Sequence, residues 1–243
     1  MTITWLGHAT VLIEIGGTRL VTDPVLRPRV AHLRRHAPAP VDPRPVDGVL
    51  VSHVHRDHLD RPSLRALAAS RTTAVVPRRA TRLLARMPFA AVREVSAGDV
   101  VRVGDVEVRA VPAWHDARRH PGSGRLESLG YLVERIWFAG DTDEHPAMRG
   151  LRGDVDIALL PVWGWGPTLG PGHLDPGGAA RVVAVVAPAV AIPIHWGTFL
   201  PIGLGRRHRR LLTEPPAAFA ARVASTTPAA RVVVLSPGES FAA

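Results

Sequence analysis

The sequence predicts an α/β protein in which two mixed β-sheets pack together and helices cover their outer faces. Many short runs of apolar and β-branched residues, separated by turn-forming residues, are typical of strands, and few segments with helical spacing lie between them. The first strands follow one another as hairpins, which argues against the alternative fold, a doubly wound parallel sheet. The 243 residues suit a single domain, residues 1–243.

The individual elements follow from local signals along the chain. Gly16-Gly17 suits a two-residue hairpin turn because both residues adopt positive φ at little cost, and Asp60 is a typical helix N-cap. The stretch 27–47 is rich in Arg and Pro and is predicted to be an irregular loop. The predicted strands are 10–15, 18–22, 46–52, 73–76, 100–103, 106–111, 129–133, 136–139, 157–160, 189–193 and a final strand at 232–235. One predicted helix begins after Asp60, and three further helices are predicted over 80–86, 176–186 and 215–224.

The composition limits the chemistry that the chain can perform. There is no cysteine, which excludes disulfides, thiolate ligands and a thiol nucleophile. A bound metal would need imidazole and carboxylate ligands, which suit zinc, manganese or iron. The formal net charge of +9 favours anionic partners, although no separate nucleic-acid-binding module is visible.

Signals for export or membrane insertion are not found in the sequence. Residues 1–5 lack the basic and apolar regions of a secretory signal, and no apolar run reaches the ~18–20 residues that span a bilayer. We therefore expect a cytoplasmic protein without a transmembrane segment. The oligomeric state stays open, a homo-oligomer included.

A cluster of histidines carries the strongest functional signal. His53, His55, Asp57 and His58 place four metal-binding side chains within six residues, between a predicted buried strand and a helix. A regular helix or strand would point some of them to opposite faces, whereas a tight loop can bring them together. Imidazole and carboxylate are ligand types that zinc accepts. The alternative interpretation is a solvated, histidine-rich loop.

The pattern His53-x-His55-x-Asp57-His58 resembles the metal-binding signature of the metallo-β-lactamase superfamily. Three later residues match the positions at which that family has its other ligands, each after a predicted strand: His115, Asp141 in Gly140-Asp141-Thr142, and His195. The resemblance covers most of the chain. It implies a four-layer αββα sandwich, with two mixed sheets inside and helices on the outer faces.

The resemblance also implies a set of ligands for two divalent metal ions. His53, His55 and His115 would bind the first ion, Asp57, His58 and His195 would bind the second, and Asp141 would bridge them. Zinc is the metal expected from the resemblance, with manganese or iron as alternatives. A bridging hydroxide would be the nucleophile. Asp57 is assigned both as a metal ligand and as a catalytic residue.

Several motifs resemble one branch of the superfamily more closely. These are residues 5–10, 173–176 and 195–199, which look like the branch of ascorbate-6-phosphate lactonase-like and N-acylphosphatidylethanolamine phospholipase D-like proteins. Members of that branch act on phosphodiesters or phosphorylated lactones. Asp116 stands where phospholipase-like members often have an aromatic residue, and 143–145 is unusually polar. These departures argue against a lipid substrate.

Three residues outside the ligand set are expected to support the site. His173 would contact a substrate phosphate or donate a proton to the leaving group, or else cap the helix near Pro176. Metal-bound imidazoles need an acceptor for their second nitrogen, and Asp23 is the candidate, its alternative role being an Asp-Pro turn. His8, at the other end of the first hairpin, is a candidate neighbour of the metals.

Further residues are assigned either to the pocket or to structure. Trp163 and Trp165, in a glycine-rich loop, would form an aromatic wall or anchor the loop by packing. Arg118, with Arg119 and His120, would bind an anionic substrate or form a solvated turn. The basic cluster 206–210 would attract an anionic partner or be a solvated face.

The combined prediction is a metal-dependent hydrolase of a small, anionic phosphodiester or phosphate ester. Hydrolysis of a lactone or another carbonyl ester is the alternative, because the same centre serves both reactions. A nuclease is favoured only by the positive charge. A non-catalytic metal-binding protein conflicts with the complete ligand set. An iron-dependent redox enzyme conflicts with the three imidazoles of the first motif, where that subset has a carboxylate.

Overall fold

The computed structural model describes residues 1–118, 124–205 and 207–243; Arg119, His120 and Arg206 lie outside these ranges. Within the described residues the chain forms seventeen strands and three α-helices. The strands are β1 Thr2–Gly7, β2 Thr10–Ile15, β3 Thr18–Thr22, β4 Arg29–Val30, β5 Leu33–Arg35, β6 Gly48–Leu50, β7 Thr73–Pro77, β8 Ala91–Val95, β9 Val100–Val103, β10 Val106–Pro112, β11 Leu129–Val133, β12 Ile136–Phe138, β13 Ile157–Pro161, β14 Val190–Ile194, β15 Phe199–Pro201, β16 Arg231–Val232 and β17 Ser240–Ala242. The helices are α1 Arg61–Leu67, α2 Pro176–Val186 and α3 Glu214–Thr226.

Two seven-stranded mixed sheets have the same internal plan. The first has the order β17-β1-β2-β3-β6-β7-β8, and the second has the order β16-β14-β13-β12-β11-β10-β9. In each sheet the pairs formed by the first strands are antiparallel, and the pairs formed by the later strands are parallel. Tight glycine turns make the antiparallel pairs, as in the Gly16-Gly17 turn, where both residues have positive φ.

The main core lies between the two sheets. Alternate residues of the first sheet, such as Ile3, Ile13 and Leu20, are fully buried, and they cluster with Tyr131 and Phe138 of the second sheet. This alternation is the period-two pattern that places one side of each strand in the core. The expected packing of two sheets against each other is therefore confirmed.

Helices cover both outer faces and complete the four layers. Leu64 and Leu67 of α1 pack on the outer face of the first sheet. Val183 of α2 and Phe219 of α3 pack on the outer face of the second sheet, where Leu160 points outward from the core. The αββα arrangement agrees with the predicted fold class. None of the helices in the described ranges is long and apolar enough to cross a membrane.

The prediction of an irregular loop over 27–47 is wrong in part. Residues in β4 and β5 form a small three-stranded sheet with β15, in the order β15-β5-β4. Val30 and Leu33 are buried there with Phe199. These strands have only two or three residues, so their apolar alternation is hidden among the arginines and prolines of this stretch.

Other differences concern short or edge elements. Strands β1, β8 and β17 are missing from the predicted list, and β17 rather than 232–235 is the last strand. Residues 81–84 form a 3₁₀ turn, not the predicted α-helix. Strand β17 owes its place to pairing with β1, the most distant part of the chain, and no local signal reports such a contact.

Candidate metal centre

The predicted ligands all lie at the ends of strands along one edge of the sandwich. His53 to His58 occupy the loop between β6 and α1, and His115, Asp141 and His195 follow β10, β12 and β14. Strands that end at a common edge bring their following loops together. The structure thereby places seven residues from four loops around one point.

The histidine loop is held at both of its ends. Tyr131 donates a hydrogen bond of 2.7 Å to the carbonyl of Val51, so the second sheet anchors the start of the loop. At the other end Asp60 caps α1 by accepting from the Ser63 backbone N–H at 3.1 Å, as the sequence predicts. Arg27 binds the same carboxylate through two hydrogen bonds of 2.9 and 2.6 Å.

The first group of converging atoms consists of three ring nitrogens. His53 Nε2 lies 3.0 Å from His55 Nδ1, and His115 Nε2 lies 3.1 Å from that same atom. Nitrogens bound to one zinc ion at about 2.0–2.1 Å lie roughly 3.3 Å apart in a tetrahedral site. The spacing of the three nitrogens therefore fits one metal-binding position.

The second group combines two imidazoles with a carboxylate. His58 Nε2 lies 3.2 Å from His195 Nε2 and 3.7 Å from Asp57 Oδ2. The rings of His53 and His58 have centroids 4.0 Å apart, so the two groups are immediate neighbours. The structure therefore brings two groups of metal-binding atoms side by side.

Asp141 lies between the two groups. Its Oδ2 is 3.2 Å from His58 Nε2, its Oδ1 is 3.1 Å from His195 Nε2, and the carboxylate also clusters with His115. Oδ1 is buried, and within the described part of the chain no hydrogen bond satisfies it. A buried carboxylate oxygen without a donor is costly unless a cation binds it, so the donor set fits a metal.

The other ring nitrogens of the histidines are already occupied by acceptors. His115 Nδ1 donates to the Gly172 carbonyl at 2.9 Å, and His195 Nδ1 donates to the Trp163 carbonyl at 2.8 Å. Each ring then carries its proton on Nδ1 and presents an unprotonated Nε2 to the centre. This also explains why the nearby His195 nitrogen leaves Asp141 Oδ1 without a hydrogen bond.

Asp23 is the corresponding hydrogen-bond acceptor for the histidine loop. Its Oδ2 accepts from His58 Nδ1 at 2.6 Å and from Ser52 Oγ at 2.5 Å, and its Oδ1 accepts from the Ser52 backbone N–H at 2.7 Å. Ser52 Oγ in turn lies 3.0 Å from His53 Nδ1. Asp23 is fully buried and orients one ligand from each group, a position that suits the acceptor role expected of it.

His8 contacts the second group. Its Nε2 lies 3.1 Å from Asp57 Oδ2, and its ring packs on His195 with centroids 4.0 Å apart. The backbone is strained here, because His8, Asp23 and His195 have φ of 56°, 33° and 62°. Non-glycine residues rarely adopt these values, and such strain is concentrated at functional sites.

Gly140 allows the Asp141 loop to approach the histidine loop closely. It has φ of 63°, and a Cβ atom there would lie 2.7 Å from the Leu129 carbonyl oxygen and 2.8 Å from Ser52 Cβ. A side chain would therefore push the Asp141 turn away from the histidine loop. The glycine of the Gly-Asp-Thr turn is required by this contact.

Burial keeps most of the imidazoles neutral. It lowers the pKa of His115 to about 4 and that of His195 to about 3. The pKa of His53 is also well below its usual value, and that of His55 is lowered, again chiefly through burial. Neutral imidazole is the form that binds a metal ion.

The carboxylates are ionised despite their burial. Burial raises the pKa of both carboxyl groups, but His58 and His8 hold the pKa of Asp57 well below its usual range. His195 and His58 do the same for the pKa of Asp141. For His58 the balance is reversed: burial lowers its pKa, but surrounding carboxylates raise it well above 6.5. The negative charge around His58 would stabilise a divalent cation in place of that proton.

His173 lies beside the centre and does not cap α2. Its Nε2 is 3.5 Å from Asp141 Oδ2, and its Nδ1 lies 3.1 Å from the Gly170 carbonyl, to which it donates. The cap of α2 is Asp175, which accepts from the Gly178 backbone N–H at 2.7 Å. The alternative role of His173 as a helix cap is therefore wrong.

The donor groups open into a cavity of about 660 Å³. Part of its wall comes from the small sheet and is apolar, with Val30 and Leu33 beside Trp165. His32 packs edge-on against Trp165, with ring centroids 5.0 Å apart. Sequence reasoning misses His32, Val30 and Leu33, because they belong to the stretch predicted as an irregular loop.

Two arginines also line this cavity. Arg118 lies there with its Nε 3.5 Å from Asp116 Oδ1, and its side chain is 58% exposed. Arg56 is exposed and makes no ion pair with any described residue. Sequence reasoning misses Arg56, although its place inside the histidine motif is a signal that points to it.

Trp163 and the described part of the basic cluster do not line this cavity. The Trp163 ring donates to the Gly166 carbonyl at 3.1 Å, so it stabilises its own loop while its backbone orients His195. The described part of the basic cluster, 207–210, lies at the surface. Arg210 has a side chain that is 85% exposed, 4.0 Å from Glu214.

The sequence of the chain is similar to those of known metal-dependent hydrolases. The profile described as "Beta-lactamase superfamily domain" matches residues 18–196. A UPF0173 metal-dependent hydrolase of Methanopyrus kandleri is 32% identical over 252 residues, which covers 99% of each chain. One of Pelotomaculum thermopropionicum is also 32% identical, over 251 residues and 99% of each chain.

A solved structure with the same fold is Igni18, described as a novel metallo hydrolase from Ignicoccus hospitalis. It superimposes with a TM-score of 0.72 and 19% identity, over 99% of this chain and 97% of that one. The fold class is thereby confirmed. The chain belongs to the metallo-β-lactamase superfamily and, within it, to the family of UPF0173 metal-dependent hydrolases.

Proposed function

We propose that the protein is a dinuclear metal-dependent hydrolase of a small anionic phosphodiester or phosphate ester. The observation that carries this proposal is the position of Asp141 between two adjacent groups of metal-binding atoms. His53, His55 and His115 would hold one ion, Asp57, His58 and His195 would hold the other, and Asp141 would contact both. Imidazole and carboxylate without thiolate favour zinc, with manganese or iron as alternatives.

Two bound divalent cations would acidify a shared water molecule, orient the substrate and stabilise negative charge in the transition state. The protein residues supply the remaining tasks. Asp23 and the carbonyls of Gly172 and Trp163 fix the orientation of the imidazoles, and His8 fixes Asp57. Burial excludes bulk water from the ligand atoms and strengthens each electrostatic contact.

His173 is placed to act on the leaving group. Its Nδ1–H donates to Gly170, so protonation at Nε2 would make this nitrogen a proton donor toward the cavity. Burial lowers the pKa of His173, but the Asp141 carboxylate outweighs burial and raises it above 6.5. A protonated imidazole beside the donor groups would serve as the general acid.

The arginines of the cavity support an anionic substrate. Arg56 and Arg118 both line it, and among the described residues a carboxylate lies at ion-pair distance from Arg118 but not from Arg56. A phosphodiester bound at the donor groups would bring its negative charge toward these cations. Arginine is well suited to phosphate because its planar group forms two parallel hydrogen bonds.

A carbonyl ester or lactone is the second candidate, and the apolar wall favours it. Val30, Leu33 and Trp165 offer a surface for an uncharged acyl or ring group. The resemblance to the branch of ascorbate-6-phosphate lactonase-like proteins supports the same alternative. Both reactions would use the same ligands, so the substrate alone separates them.

Hydrolysis of bis(p-nitrophenyl) phosphate tests the proposal. Purified protein should release p-nitrophenol, lose this activity with a chelator and regain it with zinc or manganese. Asp141→Asn should abolish the activity. Asp143→Asn is the control: it makes the same change two residues further along the chain, outside the donor groups, and should leave the activity intact. No turnover by protein that holds two metal ions would redirect the assignment to carbonyl esters.

A further inference from the structure

Arg35 is a buried cation that the proposed chemistry does not use. It lies in β5, is 9% exposed, and within the described ranges no carboxylate lies at ion-pair distance from it. Burial lowers its pKa to about 10, so it remains charged at neutral pH. A buried charge without a counter-ion is costly and needs several hydrogen bonds to be tolerated.

The guanidinium instead binds backbone carbonyl groups from two separate segments. Arg35 Nη1 donates to Leu6 at 3.3 Å, Nη2 donates to Val25 at 2.6 Å and Nε donates to Arg27 at 3.3 Å. Its Cζ also lies 4.9 Å from the centroid of the Phe199 ring, in a third segment. One side chain thus joins three parts of the chain that are distant in sequence.

The first of these parts carries His8. Leu6 lies two residues before His8, whose Nε2 contacts Asp57 at 3.1 Å. The intervening Gly7 has φ of 102°, and a Cβ there would lie 2.9 Å from Arg35 Nη1. The turn that presents His8 is therefore packed directly on the guanidinium.

The other two parts carry the supports of His58 and His195. Val25 lies two residues after Asp23, which accepts from His58 Nδ1 at 2.6 Å. Phe199 lies four residues after His195, in the strand β15 that pairs with Arg35 itself. The three segments that Arg35 joins therefore lead to Asp57, His58 and His195.

The first donor group has different supports. His115 Nδ1 donates to the Gly172 carbonyl, and the backbone of Arg118 hydrogen-bonds the His55 ring. Ser52 contacts His53 Nδ1. None of these contacts passes directly through the guanidinium of Arg35.

We propose that Arg35 is a positioning residue chiefly for the second donor group, Asp57, His58 and His195, because it reaches the first group only through Asp23 and Ser52. Its contacts with Leu6, Val25 and Phe199 fix the positions of the His8 turn, the Asp23 loop and the His195 loop relative to one another. The inference rests on the proposed dinuclear function, since it needs two separable metal positions.

Zinc binding to the metal-free protein tests this inference without an activity assay. Zinc is titrated against a competing chromophoric chelator, and the number of ions and their affinities are read from the titration. His115→Ala isolates the second group, and His195→Ala isolates the first. Arg35→Gln is then introduced into the wild-type chain and into both single variants, with circular dichroism to verify folding.

Arg35→Gln should weaken zinc binding about tenfold or more in the His115→Ala protein, the size typical of a lost support for a ligand. Binding in the His195→Ala protein should weaken clearly less, because Arg35 reaches the first group only through Asp23 and Ser52. In the chain with all its ligands, Arg35→Gln should retain one tight ion and bind the second about tenfold more weakly. Arg35→Lys keeps the charge but reaches fewer carbonyls, so it should show the same asymmetry at smaller size, and it decides the matter where Arg35→Gln does not fold.

Arg19→Gln is the matched control. Arg19 also donates to two backbone carbonyls, those of Pro43 and Pro45, but it is not linked to either donor group. This variant should leave both affinities unchanged. Equal losses in both backgrounds, or no loss in the His115→Ala protein, would overturn the role of Arg35. A wild-type chain that binds fewer than two zinc ions would instead contradict the dinuclear function, and the inference would fall with it.

Discussion

At the scale of single residues, the centre depends on the partners of its ligands as much as on the ligands. Asp23 makes contacts with His58 and Ser52, and through Ser52 it also reaches His53. A single carboxylate thus orients one imidazole of each donor group. Such partners set the protonated nitrogen of a histidine and the direction of its lone pair.

Replacing Asp23 by Asn should therefore weaken metal binding without removing a ligand. We expect a loss of about 10- to 100-fold in zinc affinity at both positions, because an amide is a poorer acceptor for His58 Nδ1 and Ser52 Oγ. Isothermal titration of the metal-free variant measures this. Asp42→Asn, at an exposed carboxylate outside the donor groups, is the control, and equal affinities of the two variants would contradict the role of Asp23.

The two arginines of the cavity should distinguish charged from uncharged substrates. Replacing both Arg56 and Arg118 by Gln should raise KM for a phosphodiester about two- to fivefold for each exposed charge removed, the size expected of such contacts. Hydrolysis of an uncharged aryl ester should keep its KM. Arg61→Gln and Arg65→Gln on α1 are the controls, and a similar increase for both substrates would contradict a role in recognising charge.

Residue type is the feature of the proposed site on which sequence reasoning has the most to say. The seven proposed ligands could be named from one motif and three strand ends because metal chemistry restricts the residue types so strongly. Contacts that depend on the backbone could not be predicted. The carbonyls of Gly172 and Trp163 that orient His115 and His195 leave no trace in side-chain chemistry.

At the scale of elements, loops at strand ends carry the site and rigid neighbours hold those loops. Helix α1 begins directly after the histidine loop, and its N-cap Asp60 binds both Ser63 and Arg27. The cap therefore fixes the end of the loop as well as the start of the helix. Asp175 caps α2 in the same manner but follows His173 rather than the histidine loop.

This difference predicts separable effects of two cap substitutions. Asp60→Ala and Asp175→Ala should each lower the free energy of unfolding of the metal-free protein by about 1–2 kcal/mol, the usual cost of losing a cap. Urea titration measures that cost. Only Asp60→Ala should also weaken zinc binding, and an equal weakening in Asp175→Ala would contradict the special position of α1.

Elements with clear local signals could be predicted from the sequence, and elements without such signals could not. Strands β2 and β3 and helix α2 have the predicted bounds, because periodicity and turn or cap signals agree over five or more residues. Strands β4 and β5 have too few residues for a periodic signal, and β17 depends on pairing with β1 at the other end of the sequence. Val30, Leu33 and Arg35 lie in the short strands, so sequence reasoning missed them, whereas Trp165 of the same cavity wall was predicted as a wall residue.

At the scale of the whole molecule, both sheets contribute to one centre. The first sheet supplies the histidine loop, and the second supplies the loops of His115, Asp141 and His195. Metal ions bound between these loops would link the two halves of the sandwich. They would also neutralise the buried carboxylates that now face one another through His58.

Metal removal should therefore lower the stability of the entire fold. At free zinc about 100-fold above the dissociation constant, each occupied position adds about 2.7 kcal/mol. For a chain of this size two positions correspond to roughly 10–20 °C in melting temperature. Differential scanning calorimetry with and without a chelator measures the shift. An unchanged melting temperature would mean that zinc does not bind the folded state preferentially.

Anomalous diffraction at the zinc edge, from crystals of the metal-loaded protein, tests the dinuclear centre most directly. The account predicts two peaks per chain about 3.5–4 Å apart. One peak should contact His53, His55 and His115, the other should contact Asp57, His58 and His195, and Asp141 should contact both. A single peak, or peaks bound by other residues, would contradict it.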